Sequence, residues 1–532
     1  MSGLLRRAGG LGLVGLFIVA CQTAQPGTKI VDDPGSPQRG GTFVMALNQE
    51  PGFINHALSV FGGTVSQEIY SSLVKQNSDL SSSPSLAQSW EISPDGRTYT
   101  FRLVDTTWHD GKPLTSDDVK FTIEKIIVPY NPDGRTFFGR VQSIATPDPR
   151  TVVMTLDAAF PPFITILQPT SVPILPKHLY EGTDIPKNPY NLKPVGTGPF
   201  MFKEWVPGDH VELVRNPNYF EKGKPYLDRV IFRFIPDPSA RLNALRAGEV
   251  DFLSGYFPYV EYPTLLKTPG LKGTLEGDSR PASIANNVVF NLRNAPWSDV
   301  RVRQAIAHAL DKELIVAKST DGVGKIAVSH ISSTIGFAHN PNARRYPYDV
   351  AKANALLDEA GHRRDAQGTR FKASLKFNLG DDEHSKAAQV LVQLFKAIGI
   401  ELQLLPLEAG AWTDQVFLKC EFDMTLRGIA SGPDPSISAV WRSYHSSNIR
   451  RQPVVNNMGY ANTKVDALFD KAATESDQAK RGEAFKEIQA ILMEDLPSIP
   501  IRERSEPKVW RDVVKGSPVE VANGWTDIWK KR

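Results

Sequence analysis

The sequence predicts a mixed α/β protein of more than one domain, and three observations carry the prediction. Stretches with alternating apolar residues, which read as strands, are interleaved with stretches whose apolar residues recur every three to four positions, which read as helices. The chain has 532 residues, more than a single hydrophobic core serves, so two or three domains are expected. An apolar content of 41% beside a charged content of 22% is ordinary for a soluble globular protein.

The elements follow in chain order. Gly40 to Leu47 reads as a buried strand. After the turn Pro94-Asp95-Gly96, the alternation of Tyr99, Phe101 and Leu103 gives another. Thr115-Ser116-Asp117-Asp118 resembles a capping box, and Val119, Thr122, Ile123 and Ile126 then share one helix face. Asp299 caps a helix whose stripe is Val302, Ile306, Leu310 and Leu314. Asp349 opens a helix that stops at Gly361. Ala484, Ile488, Ile491 and Leu492 mark a late helix ending before Pro497. No fixed-period repeat or low-complexity tract interrupts this order.

The N-terminus has a different character. Arg6 and Arg7 precede an apolar run from Leu11 to Ala20 that holds neither Asp nor Glu. A basic start, a short apolar middle and small residues at the end make a secretory signal peptide over 1–20. The run falls short of the roughly 20 residues a bilayer span needs. It closes on Ile18-Val19-Ala20-Cys21, which looks like a bacterial lipobox, so Cys21 is the expected lipidated first residue of the mature chain. The residues flanking Arg6-Arg7 fit twin-arginine export poorly. Residues 21–38 are rich in Gly, Pro, Gln, Asp and Thr and read as a flexible tether with a coil span of roughly 25 Å.

Charge and cysteine usage exclude several classes. A net charge of +3 argues for neither nucleic acid nor an acidic polymer as partner. The chain has 2 cysteines, so once Cys21 is acylated Cys420 has no disulfide partner and reads as a small buried apolar residue. No His-Glu-x-x-His, Cys-x-x-Cys or Gly-x-Ser-x-Gly motif is present. Gly322-Val323-Gly324-Lys325 fails as a phosphate loop because Ile326 stands where Ser or Thr is needed. His109, in His109-Asp110-Gly111, has no partner His nearby and reads as a satisfied turn residue. No metal, no cofactor and no enzymatic activity are expected.

Several blocks then converge. They are Ala87 to Glu91, Asp95 to Leu103, Trp108 to Val119, Val195 to Phe200, Arg215 to Tyr219, Phe290-Asn291, Asp299 to Ala305, Tyr348-Asp349, Ala355 to Gly361 and Leu496 to Pro500. In this order they resemble the family 5 extracellular solute-binding proteins, the peptide, oligopeptide and nickel receptors of ABC importers. The resemblance spans 40–510 and agrees with the lipobox. It implies a two-lobed periplasmic-binding-protein fold with a hinge and an extra domain inserted in the N-terminal lobe. Lobe I would take 39–55, 185–278 and 497–532, the inserted domain II 56–184, and lobe III 279–496. Ligand would be captured by closure of the lobes.

The resemblance also implies where ligand sits. Ser431-Gly432-Pro433-Asp434-Pro435 resembles the family's cleft segment, in which an acidic residue pairs with a peptide's α-ammonium, so Asp434 is the candidate amine anchor with Gly432 beside it. The alternative is that Asp434 only shapes the turn before Pro435. Trp412, Trp441 and Tyr444 either wall side-chain pockets or fill core. Ile429 departs from the Trp that peptide receptors often carry. Lys386 stands near the family's carboxylate-binding Arg, as a point charge without the fork, or as a solvated surface residue. Asn291 lies near the expected hinge crossing.

The expected function is therefore a lipid-anchored, monomeric receptor outside the cytoplasmic membrane. It would capture short peptides and deliver them to ABC permease subunits with cytoplasmic ATPases. The same fold binding a nickel chelate, haem, an opine or an oligosaccharide is the alternative. An exported enzyme or chaperone is a third.

Overall fold

The computed structural model describes residues 35–532 except 53, 59–62, 78–79, 132–133, 256, 276–282, 433, 451, 453–454, 517 and 519–523. The expected signal peptide, Cys21 and nearly all of the tether lie outside the described residues. Residues from Pro37 onward form one compact unit. No helix among the described residues is long and apolar enough to cross a membrane.

Three sheets organise this unit, and the architecture is mixed α/β with two lobes. A seven-stranded sheet runs in the order Leu271–Thr274, Lys508–Arg511, Phe252–Ser254, Thr42–Leu47, Arg229–Phe234, His210–Arg215, Phe200–Val206. A four-stranded antiparallel sheet joins Ala87–Ile92, Thr98–Leu103, Thr151–Leu156 and Val141–Asp148. One hydrophobic cluster runs through both, from Phe43, Phe232 and Phe252 to Tyr99, Phe101 and Leu103. These sheets therefore form a single lobe, with the Trp525 ring packed against Phe43, Phe232 and Phe252.

The second lobe is a six-stranded sheet in the order Lys325–Ile326, Ser498–Glu503, Ile284–Phe290, Met424–Ile429, Phe371–Asn378, Ile400–Leu407. Val288 and Phe290 meet helices on one face, through Val302, Ile306, Leu357 and Leu391. Val289 and Ile429 meet Val440, Tyr444, Phe469 and Phe485 on the other. This is the period-two alternation of a strand with both faces covered.

The chain passes between the larger sheets twice. It leaves the seven-stranded sheet after Leu271–Thr274 and returns after Ser498–Glu503 through 504–507. Arg504 N–H donates to the Ser283 carbonyl at 2.7 Å, so the two passages lie side by side. The strand Ser498–Glu503 pairs with Ile284–Phe290 in the second lobe's sheet, so the return falls later than the boundary expected at 497.

Most local expectations have direct counterparts. Thr115 N–H donates to Asp118 Oδ2 at 2.8 Å and closes the capping box. Asp349 caps Val350–Glu359, and Gly361 takes φ +88° just beyond it. The stripe expected from Val302 to Leu314 is two helices, Val300–Ala309 and Lys312–Ser319. Leu310 is extended between them, and Asp311 Oδ1 accepts from Leu314 N–H at 2.8 Å, so a second cap interrupts the stripe. Cys420 is half buried rather than buried, with φ +58° two residues beyond the π-helical segment Thr413–Leu418.

Candidate ligand site

The second lobe reaches the first through the loop that follows the strand Met424–Ile429. Ile437 of this loop, with Ala473, packs into the first lobe's hydrophobic cluster. The loop's shape is tightly specified. Gly432 takes φ +61°, and a Cβ there would stand 2.8 Å from Ser438 Cβ, so only glycine fits. Ser438 Oγ in turn accepts from Val440 N–H at 3.1 Å and starts the helix Ala439–Tyr444.

Asp434 lies inside this loop, buried and fully engaged. Its Oδ1 accepts from Ser436 N–H at 3.0 Å and from the Ser436 hydroxyl. Its Oδ2 accepts from Arg481 Nη2 at 2.5 Å. Arg481 comes from the helix Gln478–Asp495, donates Nε–H to the Ala472 carbonyl at 2.8 Å and lies over the Phe337 and Phe485 rings. The carboxylate that the sequence offered as an amine anchor thus already carries a cation from its own chain.

One charge on the neighbouring strand has the opposite character. Arg427 is buried on Met424–Ile429, with its guanidinium over the Phe417 ring at 5.4 Å. Nη2 donates to Ser443 Oγ at 2.9 Å, while Nε and Nη1 have no hydrogen-bond partner among the described residues. No ion pair joins it to a carboxylate among the described residues. Burial pulls its pKa down to about 10, the Tyr444 phenol opposes that fall and Arg442 adds to it. A buried guanidinium without an anion costs several kcal/mol. Sequence reasoning missed Arg427, because a lone Arg in a strand reads as a surface charge. The signal was its position between Leu426 and Ile429 in a strand otherwise fit for burial on both faces.

Two of the candidate aromatic residues lie near Arg427, Trp412 through the Phe417 ring and Tyr444 through its phenol. Trp412 donates its indole N–H to Thr425 Oγ1 at 3.1 Å and meets Phe417 edge-on at 5.1 Å. Tyr444 is fully buried, its hydroxyl 2.8 Å from Ser498 Oγ and its ring edge-on to His330. Trp441 packs partly buried in the same cluster as Tyr444 and tilts against His445.

Two candidates stand apart. Lys386 is half exposed and pairs with Asp382 one helical turn away, at 2.7 Å. Asn291 has its amide satisfied, donating to the carbonyls of Cys420 and Phe422 at 3.0 Å each and accepting from Arg293. It ties the end of the strand Ile284–Phe290 to the turn before Met424.

Other titratable groups are satisfied locally or buried alone. His109 Nδ1 accepts from Gly196 N–H at 3.2 Å while Nε2 donates to the Gly198 carbonyl at 3.1 Å, and burial pulls its pKa down to about 4. Glu68 is buried with Oε2 accepting from Trp525 N–H at 3.1 Å and Oε1 unpartnered, and burial pushes its pKa up to about 8. Glu204, His210 and Glu212 have a spacing a cation would accept, but Lys203 and Arg229 already pair with Glu212 at 3.1 and 3.2 Å.

Known proteins place this geometry. The oligopeptide-binding protein AppA of Bacillus subtilis is 30% identical over 92% of this chain and 91% of its own. Its structure with a nonapeptide has a TM-score of 0.76 and covers 93% of this chain and 100% of that one, at 29% identity. NikZ of Campylobacter jejuni, solved with Ni(L-His), is 28% identical with a TM-score of 0.73, covering 89% of this chain and 95% of that one. The model for bacterial extracellular solute-binding proteins, family 5, matches residues 82–451. A chain so matched, and 30% identical to AppA over nearly all its length, belongs to the family 5 bacterial extracellular solute-binding proteins.

Proposed function

We propose that this chain is the peptide-binding receptor of an ABC importer, anchored to a membrane through lipid on Cys21. One observation carries the peptide reading. The strand Met424–Ile429 pairs with Phe371–Asn378 only at Met424 and Thr425, so its remaining length has no partner strand on that side among the described residues. Gly428, in that free stretch, is the strand's one exposed residue. An extended peptide can add there as a strand, its backbone held by hydrogen bonds and its side chains alternating into pockets. Trp412, bonded to Thr425 of this strand, is the candidate pocket wall at this edge, while Tyr444 and Trp441 support the strand's buried face. Asp434 shapes the bridging loop through Arg481 and is not the amine anchor in this reading.

The lobes are taken as the two sheet systems, with the second ending after Glu503 rather than at 496, and closure between them as the capture step. AppA's similarity over nearly the whole chain supports a peptide ligand. Thermal-shift screening of free peptides of two to nine residues against nickel–histidine tests it, because a ligand that binds only the native state raises Tm. Peptides raise Tm on this reading. A rise with nickel–histidine and none with any peptide overturns it.

A further inference from the structure

We propose that Arg427 is the site that receives a carboxylate of the ligand. This deepens the peptide reading above and takes its location from it. The argument starts from what Arg427 lacks. Its buried neighbours supply one hydroxyl, from Ser443, and an aromatic face, from Phe417, and two of its donor nitrogens face no acceptor. The contrast with other buried arginines is sharp. Arg502 is matched by Glu383 and Arg481 by Asp434, each at 2.5 Å. Arg303, with no carboxylate so close, donates to the carbonyls of Trp297, Asp495 and Leu496. The fold thus supplies carboxylate or carbonyl acceptors to these three buried guanidinium groups.

A second unsatisfied atom lies on the same face of the sheet. Asn287 is the cross-strand partner of Arg427, and paired residues project to the same face. Its amide nitrogen donates to the Ile284 and Arg427 carbonyls, while its buried Oδ1 has no partner among the described residues. A carboxylate pairs with Nε or Nη1 together with the second hydrogen of Nη2, and Asn287 Oδ1 on the same face is an acceptor for a neighbouring amide N–H, the pattern at the end of a peptide. Lys386, committed to Asp382 on the surface, leaves that role open. An acidic ligand side chain offers the same carboxylate, so the test separates the two sources.

Titration calorimetry on wild type and Arg427→Gln decides it. The ligands are a neutral peptide as free acid, its C-terminal amide, and the amide carrying one Glu. Wild type loses about tenfold or more in affinity on amidation, the size of one charge-assisted fork. Arg427→Gln binds acid and amide alike. An amide that recovers affinity only with Glu assigns the contact to an acidic side chain. Equal acid-to-amide ratios in wild type and variant overturn the proposal. Acetate against chloride at equal ionic strength gives an arm that needs no peptide: acetate raises the Tm of wild type but not of Arg427→Gln. If no peptide binds, the peptide reading falls and the acetate arm alone decides, an equal rise in both proteins overturning the site. Should Arg427→Gln fail to fold, Arg427→Lys replaces it. It keeps the charge without the fork, so amidation costs it less than wild type, and an undiminished cost overturns the proposal.

Discussion

Arg481 Nη2 and Asp434 Oδ2 stand 2.5 Å apart in a site where both side chains are almost wholly buried. The pair fixes the loop through which the second lobe touches the first. Breaking such a pair from one side strands the other charge, at a cost of about 3–5 kcal/mol. Asp434→Ala therefore lowers the urea midpoint strongly, and Asp434→Ala with Arg481→Met restores most of the loss. N-acetylated and free peptides bind wild type within about twofold, because the carboxylate already holds a guanidinium. A much larger preference for free amines, measured by calorimetry, would return Asp434 to the anchor role.

Trp412 ties the ring of Phe417 to Thr425 on the free-edged strand. Trp412→Ala is expected to weaken peptide binding by about tenfold, as truncation of a partly buried aromatic anchor does. Peptide addition is expected to change the tryptophan emission of wild type and to change that of Trp412→Phe less.

Glu68 makes stability fall toward alkaline pH. Its folded pKa of about 8 lies above the ordinary 4.5, so between these values the native state holds a proton that the unfolded chain has released. Its stabilisation is complete below the lower value and is lost as pH rises through the upper one. Glu68→Gln can keep the bond from Trp525 N–H, so it is expected to flatten the Tm profile between pH 5 and 8. Its Tm at pH 8 is expected to exceed that of wild type.

His109 and His330 act in the opposite direction. Burial holds both near 4, below the ordinary 6.5, so the unfolded chain binds protons first as pH falls. Stability is full above the upper value and declines as pH drops toward 4. His330→Gln is expected to remove part of that acid slope, read from Tm across pH 4–7.

Cys21→Ser is expected to abolish incorporation of labelled palmitate and to move the protein from the membrane fraction to the soluble one in its host. Retention of label in the variant would exclude Cys21 as the acylated residue.

The fold was legible because it is written locally and repeatedly. Tyr99, Phe101 and Leu103 alternate along a real strand, and Asp349 with Gly361 brackets a real helix. The split at Leu310 is written too, in Asp311, but the apolar stripe runs on unbroken across this cap. The site was less legible because its electrostatics are non-local. Asp434 gives no sign in sequence that Arg481, 47 positions on, will neutralise it. Arg427 resembles any solvent-facing Arg until Asn287 across the ladder, the Phe417 ring and Ser443 of the helix Ala439–Tyr444 enclose it. Lys386 stands out in the sequence by its charge, yet Asp382 four positions earlier is the simpler partner.

The order of strands in the seven-stranded sheet sets a schedule. Lys508–Arg511 lies between Leu271–Thr274 and Phe252–Ser254, so that part of the sheet has a gap until residue 511 has been synthesised. Trp525 then closes the core around Phe43, the first large aromatic residue of the first strand. Contacts this distant in sequence form slowly. A nascent chain halted anywhere before 508 therefore lacks a strand from inside the first lobe's sheet, not merely one from its edge.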